Sequence, residues 1–179
     1  MAILNIEFKA KINDLVALEQ KLQSLNPIFI GEDNQIDTYY TVQLGRLKLR
    51  EGNIENALIW YNRQNIVGPK QSDILLYKHL PDKTLKDILG KLHSIKIIVE
   101  KKRRIYFVEN VKIHFDIVEN LGTFLEVEAI DNTGDVEIEK LQEQCNYFAH
   151  FFGIEQSNYM KNSYSDMLVD SNFTNKHLQ

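Results

Sequence analysis

Charged side chains recur at every second position in a series of short stretches of this 179-residue chain. The types they bring together are those that grip oxyanions and hard cations. In "GRLKLRE", Arg46, Lys48 and Arg50 share one phase against Leu47 and Leu49, and in "LIWYNR" Ile59, Tyr61 and Arg63 run in phase. "VEKKRRIYF" holds two interleaved pairs, Lys101 with Arg103 and Lys102 with Arg104, and a period of two turns one pair inward and the other outward. Acidic residues are grouped elsewhere. Glu126 and Glu128 share a phase in "FLEVEA", Lys112, His114 and Asp116 do so in "KIHFDIVE", and "NIEFKAK" sets Asn5, Glu7 and Lys9 against Ile6, Phe8 and Ala10. A handful of Lys and Arg side chains can bind a run of phosphate oxygens. Glu7, Glu126 and Glu128, with Asp116, offer the hard oxygen ligands that suit Mg²⁺ or Mn²⁺.

The elements that must position these residues follow from period and punctuation. Strand character covers residues 4–11, 36–43, 46–51, 57–64, 73–79, 96–107, 111–118 and 123–130, a number of strands that suits a closed barrel. Helical period predicts helices over 14–25, 82–94 and 135–152. Their apolar stripes are Leu15, Leu18, Leu22 and Leu25, then Leu85, Ile88, Leu89 and Leu92, then Ile138, Leu141, Cys145, Phe148 and Phe152. Those stripes need an apolar sheet to cover. If helices coat the outside of a closed sheet, the charged faces line its interior. Like-signed rows in such a lumen would repel one another, an arrangement that calls for a ligand.

Composition narrows the field. With 44% hydrophobic residues the chain can build one domain, expected over residues 1–170 with a polar tail at 171–179. Twenty-one Lys and Arg against 25 Asp and Glu give a net charge of −4, which argues against nucleic acid as a partner. The single Cys145 rules out an internal disulfide and a cysteine metal cluster. The start "MAILNIEFKAK" lacks an apolar run of signal-peptide length, and no segment approaches membrane-spanning length, so a cytoplasmic protein without a membrane partner is expected.

In order, "NIEFKAK", "QIDTYYTVQLGRLKLRE", "LIWYNR", "VEKKRRIYF", "KIHFDIVENLGTFLEVE" and the terminal "NSYSDML" resemble the CYTH superfamily, the triphosphate tunnel metalloenzymes, over about residues 4–168. The similarity is greatest to the class IV adenylate cyclase-like branch, with thiamine triphosphatases nearby. It implies an α+β domain, an eight-stranded antiparallel tunnel with helices outside, holding ATP, thiamine triphosphate or tripolyphosphate with Mg²⁺ or Mn²⁺. By the family pattern Lys9, Lys48, Arg50, Arg63, Lys101 and Arg103 match phosphate-binding positions. Glu7, Glu126 and Glu128 match metal ligands, and Glu7, Lys9 and Asp116 match catalytic ones. The family match also selects Lys101 and Arg103 as the inward pair. One position departs: the family's Glu-x-Glu-x-Lys reads Asn5-x-Glu7-x-Lys9 here, trading a carboxylate for a neutral carbonyl oxygen. Cyclase and triphosphatase remain open, as does a non-catalytic triphosphate-binding module, and a homodimer is compatible with the family. His114 reads as a proton donor or acceptor or as a lumen histidine with its bonds satisfied. Tyr39 and Tyr61 read as stacking or packing groups, and Tyr164 as an anchor for the tail or a site residue.

Overall fold

The computed structural model describes residues 3–131 and 134–176. Eight strands run as β1 (Ile3–Lys11), β2 (Ile28–Tyr40), β3 (Arg46–Glu51), β4 (Ala57–Asn62), β5 (Lys70–Lys78), β6 (Ile95–Val108), β7 (Val111–Val118) and β8 (Gly122–Asp131). They close in the order β1-β5-β4-β3-β2-β6-β7-β8, with every neighbouring pair antiparallel. Closure removes the sheet edges, so both faces of every strand must be assigned either to the lumen or to the coat.

The coat is apolar. Ile6, Phe8 and Ala10 of β1, Ile113 and Phe115 of β7, and Leu125 and Val127 of β8 point outward and are buried. Covering them is α3 (Ile138–Phe152), through Leu141, Cys145, Phe148 and Phe152, flanked by α1 (Leu15–Leu22). Burying a side chain such as Leu141 or Phe148 stabilises by roughly 1.5–3 kcal/mol each, which is what fixes the register of β1, β7 and β8. The Asp14 carboxylate accepts from the Ala17 N–H to cap α1, and Gly153, in the left-handed region at φ 67°, ends α3. No helix among the described residues is long and apolar enough to cross a membrane.

The structure departs from the sequence expectation in several places. Strand β2 begins at Ile28, not near residue 36. Its early part includes Gly31 at φ 144°, where the pairing with β6 shifts register, and the polar run Glu32–Gln35 that reads as a loop. The helix α2 (Lys83–Leu92) buries only Leu89 of its stripe, against Tyr40 and Leu49, while Ile88 and Leu92 are exposed. Strand β4 stops at Asn62, so Arg63 projects from the residue after it. A fourth helix, α4 (Tyr164–Lys176), follows "KNS" and packs on β6.

Candidate active site in the tunnel

With the apolar phase outside, the charged phase of each strand faces the lumen. Lys9 is 3% exposed, Lys101 5% and Arg103 2%, whereas Lys102 is exposed outside and Arg104 pairs outside with Glu19. Lys9, Lys48, Arg50, Arg63, Lys101, Arg103, Glu7, Glu126 and Glu128 all line one cavity of about 530 Å³. Asp116 lies behind it, fully buried.

The cations are not unopposed. Asp37, at the same level on β2, accepts from Lys48 Nζ at 3.0 Å, Lys101 Nζ at 2.6 Å and Arg50 Nε at 2.9 Å. Burial pushes its carboxyl up, but the Arg50, Lys101 and Lys48 charges outweigh that and hold it well below the usual carboxylate range. Arg103 grips Asp116 through two bonds of 2.7 and 2.6 Å and reaches Glu126 at 2.5 Å. Glu126 also takes Lys9. Glu55, from the β3–β4 connection, accepts from Arg50 at 2.9 Å and from Lys112, and Glu7 pairs with Arg63. Thus the like-signed rows expected to need a ligand are cross-neutralised from neighbouring strands. The sequence concealed this because Asp37 and Glu55 sit in segments without a clean alternation.

Crowding leaves marks on the cations. Burial lowers Lys101, and Arg50, Arg103 and Lys48 add to it against the opposing pull of Asp37, bringing its ammonium down to about 7. Lys70 falls to about 7 through burial and the Arg63 and Lys9 charges, its ammonium donating to the carbonyls of Ile66, Met160 and Lys161. At the tunnel end carrying α4, the Tyr164 hydroxyl donates to Asp116 at 2.6 Å and its ring lies 3.8 Å under Lys9 Nζ. Asp166 ties α4 to Arg46 at 2.8 Å and to Lys96 at 3.3 Å. Lys48 Nζ sits 5.5 Å from the Tyr39 ring and 5.9 Å from the Tyr61 ring, so both tyrosines are lumen wall.

Among the described residues, His114, Glu126 and Glu128 bring one ligand atom each within 4.8 Å of one another. Burial, then Arg103 and Lys112, lower the His114 pKa and favour the neutral ring, the form that ligates. These groups fit a divalent cation. Glu7, expected among the ligands, lines the same cavity and pairs with Arg63, while His114, not among the expected ligands, lies beside the two glutamates. Asn5 Oδ1 is buried without a partner, in register with Ser72, whose Oγ is also buried and unpartnered.

Fold and lumen together define an antiparallel eight-stranded β-tunnel with a polyelectrolyte interior and an outer helical coat. The CYTH domain family model matches residues 4–164, and the chain belongs to that family. A Methanocaldococcus jannaschii protein provisionally named an adenylate cyclase is 25% identical over 177 residues, covering 92% of this chain and 98% of that one. Among solved structures, a conserved hypothetical protein from Pyrococcus furiosus superposes with a TM-score of 0.77 at 21% identity, covering 90% of this chain and 98% of its own. A Vibrio parahaemolyticus protein, also provisionally named an adenylate cyclase, gives a TM-score of 0.77 at 19% identity, covering 93% of this chain and 98% of its own.

Proposed function

We propose that this chain is a divalent-metal-dependent enzyme that takes the triphosphate group of an organic triphosphate into the tunnel and breaks one of its phosphoanhydride bonds. One observation carries the reading: Lys9, Lys48, Arg50, Lys101 and Arg103 and the His114–Glu126–Glu128 cluster face the same cavity of about 530 Å³. In it, Lys48, Arg50 and Lys101 exchange part of their hold on Asp37 for phosphate oxygens, while Asp37 keeps them oriented. Arg103, fixed by Asp116, presents its remaining capacity to charge developing on the leaving phosphate. Lys9 does the same from β1. His114, Glu126 and Glu128 would hold the metal, which when bound supplies Lewis-acid polarisation of a phosphoryl oxygen.

The relatives' names favour a cyclase, in which the ribose 3′-oxygen attacks the α-phosphorus, loses its proton and expels pyrophosphate to leave a cyclic nucleotide. Hydrolysis of the terminal phosphate is the competing reaction in the same site. Retention without turnover is the second reading, favoured by Asn5 in place of a carboxylate and by the engagement of Glu7 with Arg63. A cytoplasmic setting, where nucleoside triphosphates are abundant, accords with it. Product analysis with ATP and with tripolyphosphate, each with Mg²⁺ and with Mn²⁺, separates the readings. Cyclic nucleotide plus pyrophosphate identifies a cyclase and orthophosphate a hydrolase. Tight binding with no product overturns the enzyme reading in favour of the binding module.

A further inference from the structure

We infer that the acidic end of the tunnel is a mixed nitrogen and oxygen metal site, His114 with Glu126 and Glu128, which selects Mn²⁺ and the later first-row divalent ions over Mg²⁺. The inference rests on the proposed function only in taking the tunnel to use a divalent ion. His114 is 1% exposed, and neither of its ring nitrogens has a hydrogen-bond partner. Its Nδ1 lies 3.6 Å from Glu126 Oε2 and 3.7 Å from Glu128 Oε1, too far for a hydrogen bond and close enough for one ion to be shared. Register explains the convergence: on adjacent inward faces of β7 and β8, His114 stands opposite Glu126, and Glu128 is the next inward residue. Among the described residues, no hydrogen bond engages the Glu128 carboxylate. A buried polar ring left without partners is costly, and a ligated metal removes that cost.

The donor set then dictates the ion. Mg²⁺ demands oxygen ligands in near-ideal octahedral geometry, and imidazole suits the transition ions instead. The oxygen donors at this end are mostly engaged: Lys9 and Arg103 hold Glu126, so a bound ion would share that carboxylate with them, and among the described residues only Glu128 of the three glutamates has no lysine or arginine partner. Asn5 brings no charge, and Glu7, which faces Glu128 across the β1–β8 pair, is held by Arg63. Two carboxylates and one imidazole are a poor magnesium cage and a good site for an ion that accepts nitrogen.

The test uses the whole protein without triphosphate. Mn²⁺ is titrated in, its affinity is compared with that of Mg²⁺ by competition, and the Mn²⁺ electron spin echo is examined for modulation by a directly bound imidazole nitrogen. The expected result is nitrogen modulation, with Mn²⁺ bound at least about tenfold more tightly than Mg²⁺, the scale on which a single ligand-supporting group alters metal affinity. His114→Gln should abolish the modulation and lower Mn²⁺ affinity by about tenfold or more while leaving Mg²⁺ affinity nearly unchanged. The spectrum of the parent protein decides the matter even if that variant folds poorly. Mn²⁺ bound without nitrogen modulation, modulation that survives His114→Gln, equal affinity for the two ions, or no Mn²⁺ binding overturns the inference. Because no triphosphate is present, such a failure leaves the proposed enzyme standing. Nitrogen-ligated Mn²⁺ in a protein that yields no product would overturn the enzyme reading alone.

Discussion

At Lys101 the tunnel's chemistry is concentrated in one ammonium. It is wedged between Asp37 and the cations of Arg50, Arg103 and Lys48, and is brought from an ordinary 10.5 down to about 7. The sign of the consequence is fixed. Between those values the unfolded chain holds a proton that the folded chain has released, so the Lys101 contribution to stability rises with pH across that window. Triphosphate binding runs the other way, because a polyanion beside the ammonium restores its proton. Tripolyphosphate binding at pH 8 should therefore take up protons and weaken as pH rises, and Lys101→Arg, which stays charged, should remove most of that dependence. Calorimetry in buffers of different ionisation enthalpy measures it, and no uptake at pH 8 would show that Lys101 is already charged in the free protein. At this scale the sequence revealed the in-phase cations and the paired Glu126 and Glu128. It could not reveal that Asp37 anchors three of the cations or that Glu55 reaches in from a connection, because partners contributed by other strands are fixed by barrel closure rather than by local period.

Elements with a clean alternation were legible, and those without were not. β1, β3, β7 and β8 read directly because a charged phase opposes an apolar one. The first part of β2 did not, since Gly31 and the run Glu32–Gln35 carry turn chemistry and pair only because β6 supplies the partner. Residues from 170 on read as a frayed polar end, with "SYSDML" before them too short in apolar residues to announce α4. The helix is held by tertiary contacts instead, with Tyr164 bonded to Asp116 and Asp166 bridging to Arg46 and Lys96. Tyr164→Phe removes a hydrogen bond to a buried, charged carboxylate and should lower stability by roughly 1.5–3 kcal/mol in denaturant unfolding. A change below a few tenths of a kcal/mol would mean that α4 is not docked through this residue.

Taken whole, the molecule is an apolar coat holding a charged lumen whose groups are nearly all spoken for, and its two neighbouring glutamates should respond differently when neutralised. Glu126 is held by Lys9 and Arg103, so Glu126→Gln leaves two buried cations short of a partner and should lower the melting temperature, by an amount corresponding to about 3–5 kcal/mol. Among the described residues the Glu128 carboxylate has no hydrogen bond, and it stands opposite Glu7 on the neighbouring strand β1, so Glu128→Gln should hold or raise the melting temperature without ligand. It should also shrink the upward shift that Mn²⁺ with tripolyphosphate gives the parent. That shift is worth about 2.7 kcal/mol at a free ligand concentration one hundred times the dissociation constant. Equal melting changes in the two variants would contradict the pairing described. The central claim, that triphosphate sits inside the barrel, is tested most directly by titrating tripolyphosphate with Mn²⁺ into Lys48→Gln and Lys102→Gln. Each loses one cation, from the inner and outer face respectively, and Lys48 leaves Asp37 still held by Arg50 and Lys101. Losing a charge-assisted phosphate contact of roughly 1.5–3 kcal/mol should weaken binding about tenfold or more in Lys48→Gln, with Lys102→Gln close to the parent. Equal losses in both variants, or a larger loss in Lys102→Gln, would contradict it.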